Sequence, residues 1–267
     1  MPYLTTEHTR FYYQKFGSGP PAIMLAGMSL DTHYWDKVVD RLQNEMLSIP
    51  MDLRGSGRSD APRSTYSISQ MADDVVNFIG EIRLEQPVLV GHSLGGFVAL
   101  EVALKRPDLV KGLVLISTSA VGKGALLGTS SRAARLLSRT LGPLEKIARA
   151  TADIGFGSEA KKHGSPITEE FVALRLARPP RGRGFVGQRA AAKEFDLRDK
   201  LSLIELQSAV LHGEEDEIIN VKNGVFLASS LPRATFYRLH GVGHFPLLEV
   251  PDLVAQAIKN LGLTHQS

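Results

Sequence analysis

The chain has 267 residues, a formal net charge of +3, 43% hydrophobic residues and 22% charged residues, an ordinary balance for a globular protein and enough length for one large α/β domain or a domain with an insertion. It has no cysteine, which excludes disulfides, thiolate metal sites and a cysteine nucleophile. No run approaches about 18 uninterrupted apolar residues, and Met1 to His8 has no basic stretch followed by an apolar core, so a cytoplasmic protein without a membrane span is expected.

Thr9 to Phe16 is rich in strand-favouring aromatics and stops at the turn signal Gly17-Ser18-Gly19-Pro20, which predicts an edge hairpin. Pro21 to Ala26 is a continuous apolar run, as a strand covered on both faces requires, and it breaks at Gly27-Met28. Trp35, Val38, Val39 and Leu42 then recur at helical spacing behind Asp31, a plausible cap. Leu47 to Met51 predicts the next short strand, and Asp52 to Asp60 a loop of glycines and short polar residues. Ile68, Met71, Val75, Val76 and Ile79 mark a helix capped by Ser67 or Ser69. Further strands are expected at Pro87–Val90, Lys111–Ile116, Ser208–Leu211 and Ala234–Leu239, with a closing helix from Pro251 to Leu261. Strands alternating with helices imply a parallel sheet with right-handed crossovers.

From about Ala120 to Glu194 the strand runs vanish and the sequence turns helical and basic. Residues 121–195 hold 14 Lys and Arg against 6 Asp and Glu, a charge of +8, and the rest of the chain holds 17 against 22, or −5. We read this segment as a helical cap inserted into a core of residues 1–119 and 195–267. Its charge fits a solvated arginine-rich surface better than a nucleic-acid surface, because no aromatics interleave with the basic residues. The exposed cluster Arg178 to Arg183 leaves room for an anionic substrate as a lesser alternative.

The chemistry centres on Gly91-His92-Ser93-Leu94-Gly95-Gly96, between the strand Pro87–Val90 and a helix running from Phe97 to Leu104. A serine on a sharp strand-to-helix turn takes a strained backbone that exposes its hydroxyl, and flanking glycines remove the side chains that would clash. The helix start adds unpaired N–H groups beside the hydroxyl. Ser93 is therefore the expected nucleophile. It needs an imidazole to take its proton and a carboxylate to orient that imidazole. Of His163, His212, His240, His244 and His265, we select His244, in the glycine-rich loop Gly241 to Pro246 just beyond the last strand, with His240 as its rival. Among the carboxylates after Gly213 we select Asp216, whose short side chain and offset suit a tight loop turned back to the sheet edge, with Glu215 next.

Taken together, the Asp52-to-Ser59 loop, the elbow, His212-Gly213-Glu214-Glu215-Asp216 and Gly243-His244 with Glu249-Val250-Pro251 behind it make the chain resemble an α/β-hydrolase of the capped type over essentially its whole length. The resemblance implies a mostly parallel eight-stranded sheet flanked by helices. It also implies an oxyanion hole from the backbone N–H groups of Met28 and Leu94; separately, no H-E-x-x-H pattern and no Walker loop stand in the sequence, so no metal and no cofactor are expected. Many relatives carry His-Gly after the third strand; Ala26-Gly27 stands there in this chain, which puts the rigidity of that loop in question. Gly27, Met28, Leu30, Trp35, Leu94 and Phe245 are candidates for an apolar pocket, with cap residues such as Leu136, Leu137, Ile147, Phe156, Phe171 and Leu174, although most of the cap residues fit packing of the cap on itself better, as apolar residues at helical spacing usually form core. The expected activity is cleavage of a small-molecule carboxylic ester or lactone through an acyl-enzyme. The alternatives are a carbon–carbon hydrolase or lyase on the same scaffold, or a ligand receptor that retains the triad.

Overall fold

The computed structural model describes residues 3–6, 9–64, 66–123, 143–162 and 166–263. The continuous apolar runs become buried parallel strands: β3 (Pro21–Leu25), β4 (Leu47–Met51), β5 (Val88–His92), β6 (Gly112–Ile116), β7 (Ser208–Gly213) and β8 (Ala234–Leu239). They form one six-stranded sheet in the order β4-β3-β5-β6-β7-β8, every pair parallel. Strands β5, β6 and β7 are buried along their whole length, as strands covered on both faces must be. Edge strand β8 alternates instead between half-buried and exposed residues before ending on a buried leucine.

Side chains leave the sheet alternately to two cores, as the strand pleat dictates. Ile23, Leu25, Leu89, Leu113 and Leu115 pack with α2 (Ile68–Glu81) and α3 (Leu94–Lys105). Ala22, Met24, Val88, Val90, Val114 and Ile116 pack on the other face with α1 (Asp36–Leu42) and the last described helix, Pro251–Gly262. Ser67 caps α2 by accepting from the Gln70 N–H at 3.0 Å. Asp31 caps a 3-10 turn, Thr32–Trp35, that precedes α1, and does not cap α1 itself.

The mostly parallel sheet flanked by helices is present, and its eight strands divide two and six. Strands β1 (Tyr3–Thr6) and β2 (Thr9–Tyr12) form a separate antiparallel hairpin. Residues 13–16 continue from it only through isolated bridges, Tyr13 to Met51 and Phe16 to Ser48. The reason lies in β4: Pro50 accepts from the Gln14 N–H at 3.1 Å but has no N–H to return, so the ladder cannot close there.

Between β6 and β7 the described residues contain α4 (Leu144–Gly155), α5 (Ser158–Lys161), α6 (Ile167–Ala177) and α7 (Gly182–Lys193). The two ends of this segment meet, Gly122 N–H donating to Phe195 O and Leu197 N–H to Ala120 O. An aromatic cluster of Tyr34, Phe156, Phe171 and Phe245 joins these helices to the sheet edge, with ring centroids 5.0 to 5.9 Å apart. No helix among the described residues is long and apolar enough to cross a membrane.

Candidate active site

Strand β5 lies in the middle of the sheet, with Gly91 opposite both Leu25 and Leu115. Its extension ends at Ser93, whose N–H still donates to Ile116 O at 2.9 Å while its backbone turns into the left-handed region at φ 52°. A non-glycine residue there is strained by about 1–3 kcal/mol and persists only if its surroundings enforce it. The enforcement is visible. A Cβ on Gly91 would stand 2.5 Å from Gly95 O, and one on Gly95 would stand 2.1 Å from Leu25 O, so only glycines let α3 start so close to the sheet. Thr118 Oγ1 also donates to Ser93 O at 2.7 Å. Ser93 keeps some exposure although its neighbours on both sides are buried.

Asp216 and His244 meet at the neighbouring strand ends. His244 Nδ1 lies 2.8 Å from Asp216 Oδ2, and because a carboxylate can only accept, the proton sits on Nδ1 and leaves Nε2 free as a base. Asp216 is saturated with donors: Oδ1 accepts from the Ile218 and Ile219 N–H groups, both at 2.8 Å, and Oδ2 also stands 3.3 Å from His212 Nε2. Burial pushes this carboxyl up, but the His244 charge and the hydrogen bonds from both histidines outweigh it and hold it well below the usual carboxylate range. A Cβ on Gly213 would meet Gly243 O at 2.0 Å, so the two loops touch through glycine backbone. Ser93 Oγ makes no hydrogen bond among the described residues; such contacts often tighten only around a substrate.

The Leu94 N–H opens α3 and belongs to the first turn, which has no intrahelical acceptor. Met28 is half-buried and follows Gly27, where a Cβ would lie 3.2 Å from the Ser93 Cβ and 3.1 Å from His92 Nδ1. The residues that carry these two N–H groups thus lie beside the serine, one just past the end of β3 and the other at the start of α3. The rivals are placed elsewhere. His240 is exposed and bound to Glu214 at 2.6 Å, and Glu215 accepts from the Ser158 N–H and hydroxyl. His163 and His265 lie outside the described residues, as do Leu136 and Leu137.

The pocket expectation needs correction at Trp35. It has no accessible surface and packs with Val38, Val39 and Leu42, so its helical spacing reported core and not a ligand wall. Phe245 is likewise buried, its ring against His244, Phe156 and Phe171.

Three site residues were given no role from the sequence. His92 is wholly buried and donates Nε2–H to the His244 carbonyl at 2.8 Å; burial, with the His244 charge adding to it, pushes its imidazole down to about 3. His212 shares its Nε2–H between Asp216 and the Ile219 carbonyl, 2.8 Å away. Glu249 gathers the N–H groups of Gly157, Gly243 and Phe245 at 2.8 to 3.2 Å, bracing both sides of His244. The signal for the first two was their adjacency to Ser93 and Gly213. Nothing in the sequence specified what they bond.

A family model described as alpha/beta hydrolase fold matches residues 20–251. The AB hydrolase superfamily protein YisY of Bacillus subtilis is 28% identical over 262 residues, covering 94% of this chain and 96% of its own length. The putative carbamate hydrolase RutD of Azorhizobium caulinodans is 25% identical over 253 residues, covering 95% of each chain. A solved structure described as "Est816 as an N-Acyl homoserine lactone degrading enzyme" superposes with a TM-score of 0.83 at 26% identity, covering 97% of this chain and 99% of its own.

Proposed function

The chain belongs to the α/β-hydrolase fold family, and on that premise we propose that this hydrolase cleaves a carboxylic ester or lactone with Ser93, His244 and Asp216. The observation that carries the reading is the 2.8 Å bond from His244 Nδ1 to Asp216 at the sheet edge where Ser93 takes its left-handed turn. Ser93 Oγ attacks the acyl carbon and its proton passes to His244 Nε2. The Met28 and Leu94 N–H groups stabilise the tetrahedral oxyanion. The leaving alkoxide takes the proton back from His244, and a water activated by the same imidazole then releases the acid and restores Ser93.

Residues 120–194 act in this reading as a cap over the sheet edge. The adjacency of their entry and exit supports it, as does the aromatic seam with Phe245. The relatives named for lactone and carbamate hydrolysis point to the same acyl carbonyl class. Some of the cap's basic residues are engaged within the protein: Arg149 pairs with Glu145 and Glu169, Arg181 bonds Ser59 O and Arg175 bonds Ser29 O.

The test is turnover of short-to-long acyl nitrophenyl esters, a lactone and a carbamate by wild type and Ser93→Ala. Loss of several orders of magnitude with an unchanged melting curve is expected for the variant. Turnover that survives Ser93→Ala, or a wild type inert to all three, overturns the assignment in favour of carbon–carbon cleavage, lyase chemistry or ligand reception.

A further inference from the structure

Resting on that hydrolase reading, we infer that Gln188 and Arg175, from the helices between β6 and β7, are positioning residues that hold the oxyanion-hole loop in its working shape by gripping Ser29. Residues 27–30 form a turn closed by the Leu30 N–H on Gly27 O at 3.0 Å. Ser29 occupies the third position at φ 56°, a place glycine usually takes. Ala26 before the turn has no polar side chain to brace it.

The brace comes from far along the chain. The Ser29 N–H donates to Gln188 Oε1 at 2.8 Å, and the Ser29 carbonyl accepts from Arg175 Nη1 at 3.0 Å. Gln188 is wholly buried and its amide cannot rotate freely, because Nε2 donates to Arg54 O at 2.8 Å and to Ser56 Oγ at 2.9 Å. That fixes Oε1 towards Ser29. Helix α7 is pressed close enough for this contact by Gly184, where a Cβ would stand 2.0 Å from Gly55 O. Arg175 is buried too, and a buried guanidinium is costly unless it is hydrogen-bonded; its Nη1 finds the Ser29 carbonyl, while its Nε has no partner among the described residues.

Turns of this kind relax by flipping the central peptide, here the one joining Met28 to Ser29. A flip would present the Met28 carbonyl to Gln188 Oε1, acceptor against acceptor, so the grip selects one state of the loop next to the Met28 donor. Displacing α6 and α7 releases both bonds together. The oxyanion hole is then complete only while these helices are seated, and seating them is part of assembling the catalyst.

The experiment compares wild type with Gln188→Met and Arg175→Met, singly and together, on a short-acyl nitrophenyl ester. Removing an oxyanion donor outright costs about 10²–10³ in kcat; loosening one should cost about 10- to 100-fold, with KM within about twofold. Affinity for a trifluoromethyl ketone, whose adduct places an oxyanion in the hole, should fall in step with kcat/KM. Arg175→Lys, which keeps a donor for the Ser29 carbonyl, should recover much of the loss and covers the case in which a Met variant does not fold. Folded variants that keep kcat, or that lose activity without losing ketone affinity, overturn the inference. Exchange of the Ser29 amide, slow in wild type and accelerated in Gln188→Met, reads the grip without turnover. If wild type is inert and Ser93 resists a fluorophosphonate, the hydrolase reading fails, and unchanged Ser29 exchange alone would sink the grip.

Discussion

Asp216→Asn separates catalysis from stability at this site. The carboxylate accepts four donors, two N–H groups on Oδ1 and two imidazole N–H groups on Oδ2. In the variant the amide oxygen keeps the Ile218 and Ile219 N–H groups, and the new NH₂ faces His244 Nδ1–H and His212 Nε2–H. His212 loses little, since its shorter bond is to Ile219 O. His244 can escape by moving its proton to Nε2 and accepting at Nδ1, which relieves the clash but removes the base that Ser93 needs. The expected stability loss is therefore about 1–2 kcal/mol, one imperfect buried contact. The expected loss in kcat is about 10⁴-fold, near 5.5 kcal/mol, as the wrong tautomer costs in a serine protease triad. Ester turnover and urea unfolding on the same preparations check both numbers. An Asp216→Asn enzyme within about tenfold of wild type, or a larger loss from Glu215→Gln, would refute the assignment of the acid and the tautomer argument with it.

Gly95→Ala would set a Cβ 2.1 Å from Leu25 O; destabilisation of about 3 kcal/mol or more is expected in urea unfolding, because backbone cannot yield as a side chain does. Asp52, buried beside Thr32 and Arg58 whose N–H groups it accepts, is pushed up to about 6 by burial. Between about pH 4 and 6 the folded state holds a proton that the unfolded chain releases, so this group's contribution to stability shrinks as pH rises through that window. Comparing unfolding free energies near pH 4.5 and pH 7, wild type should lose on the order of 2 kcal/mol more than Asp52→Asn; parallel losses would contradict it.

The sheet and the elbow were legible because they rest on local patterns. Buried parallel strands announce themselves as apolar runs, and the elbow as glycines at fixed offsets around Ser93. Asp216 and His244 followed from the rule that ligands gather beyond strand ends, and their contact spans 28 residues. The Ser29 contacts were out of reach: they join residues 146 and 159 positions apart, and nothing near Gln188 or Arg175 marks either as more than a polar residue on a helix. Trp35, expected in the pocket wall, lies in the core instead, in keeping with its helical spacing to Val38, Val39 and Leu42. Residues 13–16 meet β4 only through isolated bridges, because Pro50 on β4 has no N–H to return to Gln14.

The glycine seam between α4 and the His244 loop has a bearing on how this molecule can be re-engineered. His244 N–H donates to Gly155 O at 2.5 Å, Glu159 N–H to Gly241 O, and side chains added at Gly157 or Gly243 would strike backbone across the seam. A graft that swaps α4 to α7 for the helices of another protein would carry off the acceptor that seats the histidine's own amide. The transplantable module is therefore not one continuous segment but the helices together with residues 241–249, and chimeras cut at the insertion boundaries alone should inherit a new specificity surface over a misaligned base.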